Sequence, residues 1–161
     1  MRGYRRLVAV VLRMCALALL AALSPARAES SHIAAELLAE GAAPPGGTVT
    51  LAFRMRPEPG WHGYWRNPGD AGLGMTFDWT LPPGAKAGEP RYPTPETLLI
   101  AGLMNHVYES EYAVLVPLTL PANARPGDRL PVSVMARWLA CSDTICVPEQ
   151  GRLGATVTIG D

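Results

Sequence analysis

Two cysteines near the end of the chain carry the chemistry most open to reading: Cys141 and Cys146, within Arg137-Trp-Leu-Ala-Cys-Ser-Asp-Thr-Ile-Cys-Val-Pro-Glu-Gln-Gly151. Four residues separate them. Closing so short a loop removes only about 2 kcal/mol of unfolded-state freedom, against about 4.7 for a loop of about 100 residues. A bridge placed for stability usually spans more chain. A bridge that opens and closes can be local, because opening it need not unfold the domain. The spacing is neither the C-x2-C of thioredoxin-like sites nor half of a zinc ribbon. Taken alone it leaves three readings open: thiol–disulfide exchange, a structural clip, and metal binding. Two thiolates with His62, His106, Met75 or Met104 nearby would suit Cu(I) by softness.

The flanking residues predict how the cysteines are held. An apolar run, Leu130 to Ala140, leads in, and Gly154 to Ile159 alternates on the way out. That layout predicts two antiparallel strands with a cysteine at each shoulder of a short turn. Cross-strand Cα atoms about 4.5–5.5 Å apart suit a disulfide. Nothing from Cys141 to Gly151 acidifies a thiol: the segment has no Lys, Arg or His beside either cysteine. Asp143 and Glu149 would raise a thiol pKa. A slow, partner-gated thiol is expected.

The first 28 residues read as a cleavable secretory signal. Arg2, Arg5 and Arg6 precede an apolar run from Leu7 to Leu23, and Ala26-Arg27-Ala28 is an A-x-A cleavage signature. Cys15 leaves with that segment, so the mature chain keeps two cysteines, the even pair of an exported protein. Five of the 14 basic residues also leave, and the remaining 9 basic and 14 acidic residues give a net charge of −5. That balance argues against nucleic acid or anionic lipid as partner. Residues 29–161 suit one domain with one core.

That domain reads as β. Val49, Leu51 and Phe53 share one face of a strand at Thr48 to Met55, and Tyr112 to Leu120 is a second strand despite Pro117. Ile33 to Glu40 suits a strand or a helix. Trp61 to Arg66 is short and aromatic, and Met75 to Thr80 is another strand. Glu89 to Pro95 is at most an edge strand, and Thr97 to His106 is expected to be a loop or one helical turn. All but Pro25 and Gly3 of the chain's 16 prolines and 16 glycines fall in this domain and punctuate seven to nine short strands, the pattern of an immunoglobulin-like β-sandwich. No nucleophile–base triad, phosphate loop or telling carboxylate pair appears.

Three segments together resemble the N-terminal periplasmic domain of the thiol:disulfide interchange protein DsbD and its ScsB-type copper-tolerance relatives. They are Gly60-Trp-His-Gly-Tyr-Trp-Arg-Asn-Pro-Gly-Asp-Ala-Gly72 with Phe77-Asp-Trp79, Tyr108-Glu-Ser-Glu-Tyr112 running into Val114-Leu-Val-Pro-Leu118, and the Cys141/Cys146 hairpin with Val147-Pro-Glu149. The resemblance implies an immunoglobulin-like domain whose disulfide carries electrons in the periplasm. It implies that Cys146 forms the mixed disulfides and Cys141 resolves them. Gly102 to Glu111 matches a cap loop over the sulfurs, with His106, Val107 and Tyr108 as candidates for the shielding residue. Glu109 would flank the cap in partner recognition, and Tyr64 would pack beside the disulfide.

By the same resemblance the electron donor is a thioredoxin-like domain fed by a membrane electron carrier, expected here as a separate protein. The acceptors are periplasmic thiol–disulfide proteins: disulfide isomerases, cytochrome c maturation thioredoxins or copper-tolerance proteins. The expected activity is that of a protein-disulfide reductase acting as a monomer, without metal or cofactor. The alternatives are a non-redox binding or chaperone domain with a structural disulfide, or a Cu(I)-binding protein. The four tryptophans and Tyr108 are expected in packing roles, and His62 and His106 on the surface or in loops.

Overall fold

Alternation of apolar and polar residues drives the architecture. In the computed structural model, which describes residues 31–161, eleven strands form and no helix does among the described residues. The expected signal segment lies outside those residues. The strands are β1 (Ile33–Ala39), β2 (Ala42–Ala43), β3 (Thr48–Pro57), β4 (Gly63–Gly69), β5 (Thr76–Thr80), β6 (Lys86–Ala87), β7 (Glu96–Ile100), β8 (Leu103–Tyr108), β9 (Tyr112–Thr119), β10 (Arg129–Cys141) and β11 (Cys146–Ile159). Two four-stranded sheets, β1-β3-β9-β6 and β2-β11-β10-β5, make an immunoglobulin-like sandwich. A three-stranded sheet, β4-β8-β7, stands beside them.

The core lies between the two large sheets. From β3 it takes Val49, Leu51, Phe53 and Met55, and from β9 Tyr112, Val114, Val116 and Leu118. The opposite sheet contributes Val132, Val134, Ala136, Trp138 and Ala140 of β10 with Val157 and Ile159 of β11. Every second residue points inward, as a period of two requires. Phe53 sits at the centre, its ring 4.7 Å from Phe77 and 5.7 Å from Trp79. Met75 also packs into this core, which removes it from any ligand set at the cysteines.

One open alternative is resolved and one local expectation changes. Ile33–Ala39 is a strand, because its pairing with β3 across seven positions outweighs its helical propensity. β4 runs on through Asn67, Pro68 and Gly69, past an irregularity between Tyr64 and Gly69. The stretch expected as a loop or helical turn is the β7–β8 hairpin, paired from Glu96↔Val107 to Ile100↔Leu103. Ala101 and Gly102 turn it with φ of +50° and +84°, the doubly positive pattern of a tight hairpin turn. An alanine in that position hides the turn signal, and Leu98-Leu-Ile100 runs apolar where alternation would have marked a strand.

Candidate redox site

The β10–β11 hairpin holds its two strands in register from Arg129↔Thr158 to Cys141↔Cys146. Its turn is closed by the Ser142 N–H donating to the Ile145 carbonyl at 2.8 Å. The Thr144 and Ile145 N–H groups reach the Ser142 hydroxyl at 3.4 and 3.3 Å. On its other side Cys141 exchanges both backbone hydrogen bonds with His62: the His62 N–H donates to the Cys141 carbonyl at 2.8 Å, and the Cys141 N–H to the His62 carbonyl at 3.1 Å. With its N–H and C=O turned toward His62, Cys141 meets Cys146 as a non-hydrogen-bonded pair, the closer of the two antiparallel kinds. Their Cα atoms are 4.1 Å apart and their sulfurs form a disulfide.

The two cysteines differ sharply in access. Cys141 is 1% exposed, whereas Cys146 is exposed at the shoulder of the turn, beside Ile145 at 56%. Strand parity explains what covers Cys141. Trp138 and Ala140 face the main core, so Leu139 and Cys141 face outward. There they meet a second, small apolar cluster: Tyr64 of β4, Val107 of β8 and Cys141, flanked by Leu98 and Leu139. Tyr64 and Val107 are cross-strand partners, so they arrive on Cys141 together. Gly72 leaves room for the Tyr64 ring: its φ is +92°, and a Cβ there would collide with that ring. Asn105, a buried residue of β8 itself, donates its amide to the Leu103 carbonyl at 3.1 Å while its own oxygen has no partner.

The remaining candidates go to different places. Val107 is fully buried against the disulfide cluster. Tyr108 points the opposite way into the main core, stacked on Tyr112 with its hydroxyl donating to the Pro93 carbonyl at 2.7 Å. Burial drives the Tyr108 phenol well above its ordinary range. His106 lies half-buried on the outer face, edge-on to Trp65 at 5.6 Å, its Nδ1 3.1 Å from the Asn67 carbonyl. Glu109 is exposed at the end of β8. The span expected as a cap loop, Gly102 to Glu111, is mostly strand β8: a paired strand, not a loop, carries the covering residue.

Two residues have different roles from those the sequence led us to expect. His62 is not a surface histidine: it is 2% exposed, in line with Cys141 across the strands, and its Nε2 shares a 3.3 Å hydrogen bond with the Tyr64 hydroxyl. Burial lowers its pKa, while Glu109 and Asp143 work in the other direction. Its signal in sequence was faint, since it is far from the cysteines along the chain and only strand pairing joins them. Glu149 faces away from the sulfurs, as the cross-strand partner of Trp138. Its carboxylate accepts the Trp138 indole N–H at 2.8 Å and the backbone N–H groups of His32 at 2.6 Å and Ile33 at 3.2 Å. It ties the start of β1 to the hairpin and does not act on the thiols.

A sequence model of the family described as the N-terminal domain of the thiol:disulfide interchange protein DsbD matches residues 34–158. The chain belongs to that family. Among solved structures, this DsbD N-terminal family member resembles the N-terminal periplasmic domain of ScsB from Proteus mirabilis, with a TM-score of 0.60 and 20% identity over 78% of this chain and 47% of that one. The DsbD N-terminal domain of Neisseria meningitidis in the reduced form also matches, with a TM-score of 0.49 and 17% identity over 79% of this chain and 86% of that one. The chain spans about half the length of the ScsB structure. No curated protein sequence matches it. Family membership and a local disulfide with one exposed cysteine together support a thiol–disulfide exchange module.

Proposed function

We propose that the chain, exported to the periplasm as residues 29–161 after cleavage near Ala28, is an electron-transfer module working through Cys141 and Cys146. The observation that carries this reading is the asymmetry of the bridge: one sulfur belongs to an exposed residue, the other to a buried one under Tyr64 and Val107. Disulfide exchange needs one sulfur that a partner can attack and a second that only the first can reach.

In the proposed cycle a thioredoxin-like donor thiolate attacks Cys146 Sγ, the Cys141–Cys146 bond breaks, and Cys141 leaves with the electron pair. A second donor thiol displaces Cys146 and completes a two-electron reduction. In the other direction the Cys146 thiolate attacks an oxidised periplasmic protein, and Cys141 then attacks Cys146 to release that protein reduced. The disulfide isomerases, cytochrome c maturation proteins and copper-tolerance proteins named for the family are the acceptor classes this reading would serve. Tyr64, Val107 and the β7–β8 hairpin act as the cover, with His106 and Glu109 at its rim as contacts for a docked partner.

Trapping tests the assignment. Cys141→Ser, incubated with an oxidised thioredoxin-like domain, is expected to accumulate a mixed disulfide through Cys146 that reducing gel electrophoresis cleaves. Cys146→Ser is expected to trap nothing, because its remaining cysteine is covered. Equal trapping by both variants, or by neither, contradicts the division of roles.

A further inference from the structure

The geometry points to His62 as the proton acceptor for Cys141 in the resolving step. This rests on the exchange reading above and adds to it the group that makes the buried cysteine a nucleophile. Resolution requires Cys141 to lose a proton while it is 1% exposed, where water is a poor acceptor and an isolated thiolate is costly. The fold aligns His62, in an isolated antiparallel bridge just before β4, with Cys141 of β10 and Cys146 of β11 as successive partners. Directly opposed residues of an antiparallel pair put their side chains on one face, with Cβ atoms about 4.5–5.5 Å apart. Tyr64, two residues along from His62, packs in the Cys141 cluster and holds the imidazole through its hydroxyl. His62 is therefore a buried base beside a buried acid.

The charges around it suit a proton that arrives and leaves. Burial keeps the imidazole neutral at neutral pH, ready to accept. Two carboxylates act on it, Glu109 from the end of β8 and Asp143 from the β10–β11 turn, and both favour the imidazolium once formed. Tyr64 is the titratable side chain hydrogen-bonded to the imidazole, and burial raises that phenol, so it stays neutral. In the step itself the Cys141 proton passes to the imidazole. The Cys141 thiolate attacks Cys146 Sγ, and the Cys141–Cys146 bond forms as the Cys146–partner bond breaks. The partner cysteine departs with the electron pair, and the imidazolium proton is returned to solvent or to that thiolate.

Stopped-flow reaction of the reduced mature chain with 5,5′-dithiobis(2-nitrobenzoate) separates the events. The first thionitrobenzoate marks attack by Cys146, and a second, concentration-independent release marks resolution by Cys141. The resolving rate of the wild type is expected to fall as pH drops through a value below 6.5, the ordinary imidazole pKa. In His62→Asn and His62→Gln that inflection should vanish, the rate at pH 7 should drop about 100-fold, and it should climb only toward the ordinary thiol pKa of about 8.5. An unchanged inflection and rate in both variants overturns the role of His62 while leaving the exchange reading intact. No internal second release in the wild type overturns the exchange reading itself. A titration of the His62 ring protons by NMR needs no variant. In the reduced wild type those signals should show a second inflection at or above the ordinary thiol pKa of about 8.5, as the neighbouring Cys141 thiol ionises, which the oxidised wild type lacks; its absence contradicts the proposal.

Discussion

The two faces of the β10–β11 hairpin live under different rules. On the inner face, Val132, Val134, Ala136, Trp138 and Ala140 join a core that draws on both large sheets. On the outer face, Cys141 is buried by a handful of side chains from one small sheet, led by Tyr64 and Val107. Buried area sets the cost of exposure at roughly 25 cal/mol per Å² of apolar surface. Uncovering the outer face therefore costs a small part of what unfolding costs. A disulfide on the inner face would be a staple, reachable only by unfolding; on the outer face it can be uncovered while the sandwich stays folded.

Substitutions on the two sides should separate stability from access. Phe53→Ala, in the inner core, is expected to lower unfolding free energy by about 3–5 kcal/mol in urea melts. Below the transition it should leave the rate at which dithiothreitol reduces the disulfide unchanged. Glu149→Gln weakens the clamp on Trp138 and the start of β1. It is expected to cost about 1–3 kcal/mol, again without changing that reduction rate. Val107→Ala removes the fully buried side chain over Cys141. It should cost only about 1–2 kcal/mol, two methylene equivalents, yet raise the reduction rate several-fold. A faster reduction in Phe53→Ala than in Val107→Ala would break the distinction between the faces.

The sandwich was readable where alternation is regular. Val49, Leu51 and Phe53 on β3, and the paired runs around Cys141 and Cys146, signal strands because one side of each is buried and the other wet. The cover was harder to read. Leu98, Leu99 and Ile100 do not alternate, and the turn at Ala101-Gly102 lacks an asparagine or aspartate to announce it. Val107 and Tyr108 are adjacent and both buried, so hydrophobicity could not say which meets the disulfide. Strand parity decides it, sending Val107 to Cys141 and Tyr108 to Tyr112. His62 was misplaced for another reason: its neighbour Cys141 is a partner in pairing, not in sequence. Glu149 misled by the same token, close to Cys146 along the chain but turned to the opposite face.

The most direct test of an outward, openable disulfide is the reduction potential of the Cys141–Cys146 couple in the mature chain, equilibrated in graded dithiol buffers. The account predicts a value between about −180 and −270 mV, the range of exchange proteins, with Cys146 alkylated readily after reduction. A value below about −300 mV, with neither cysteine alkylated under reductant, would contradict it and mark the bridge as a structural clip.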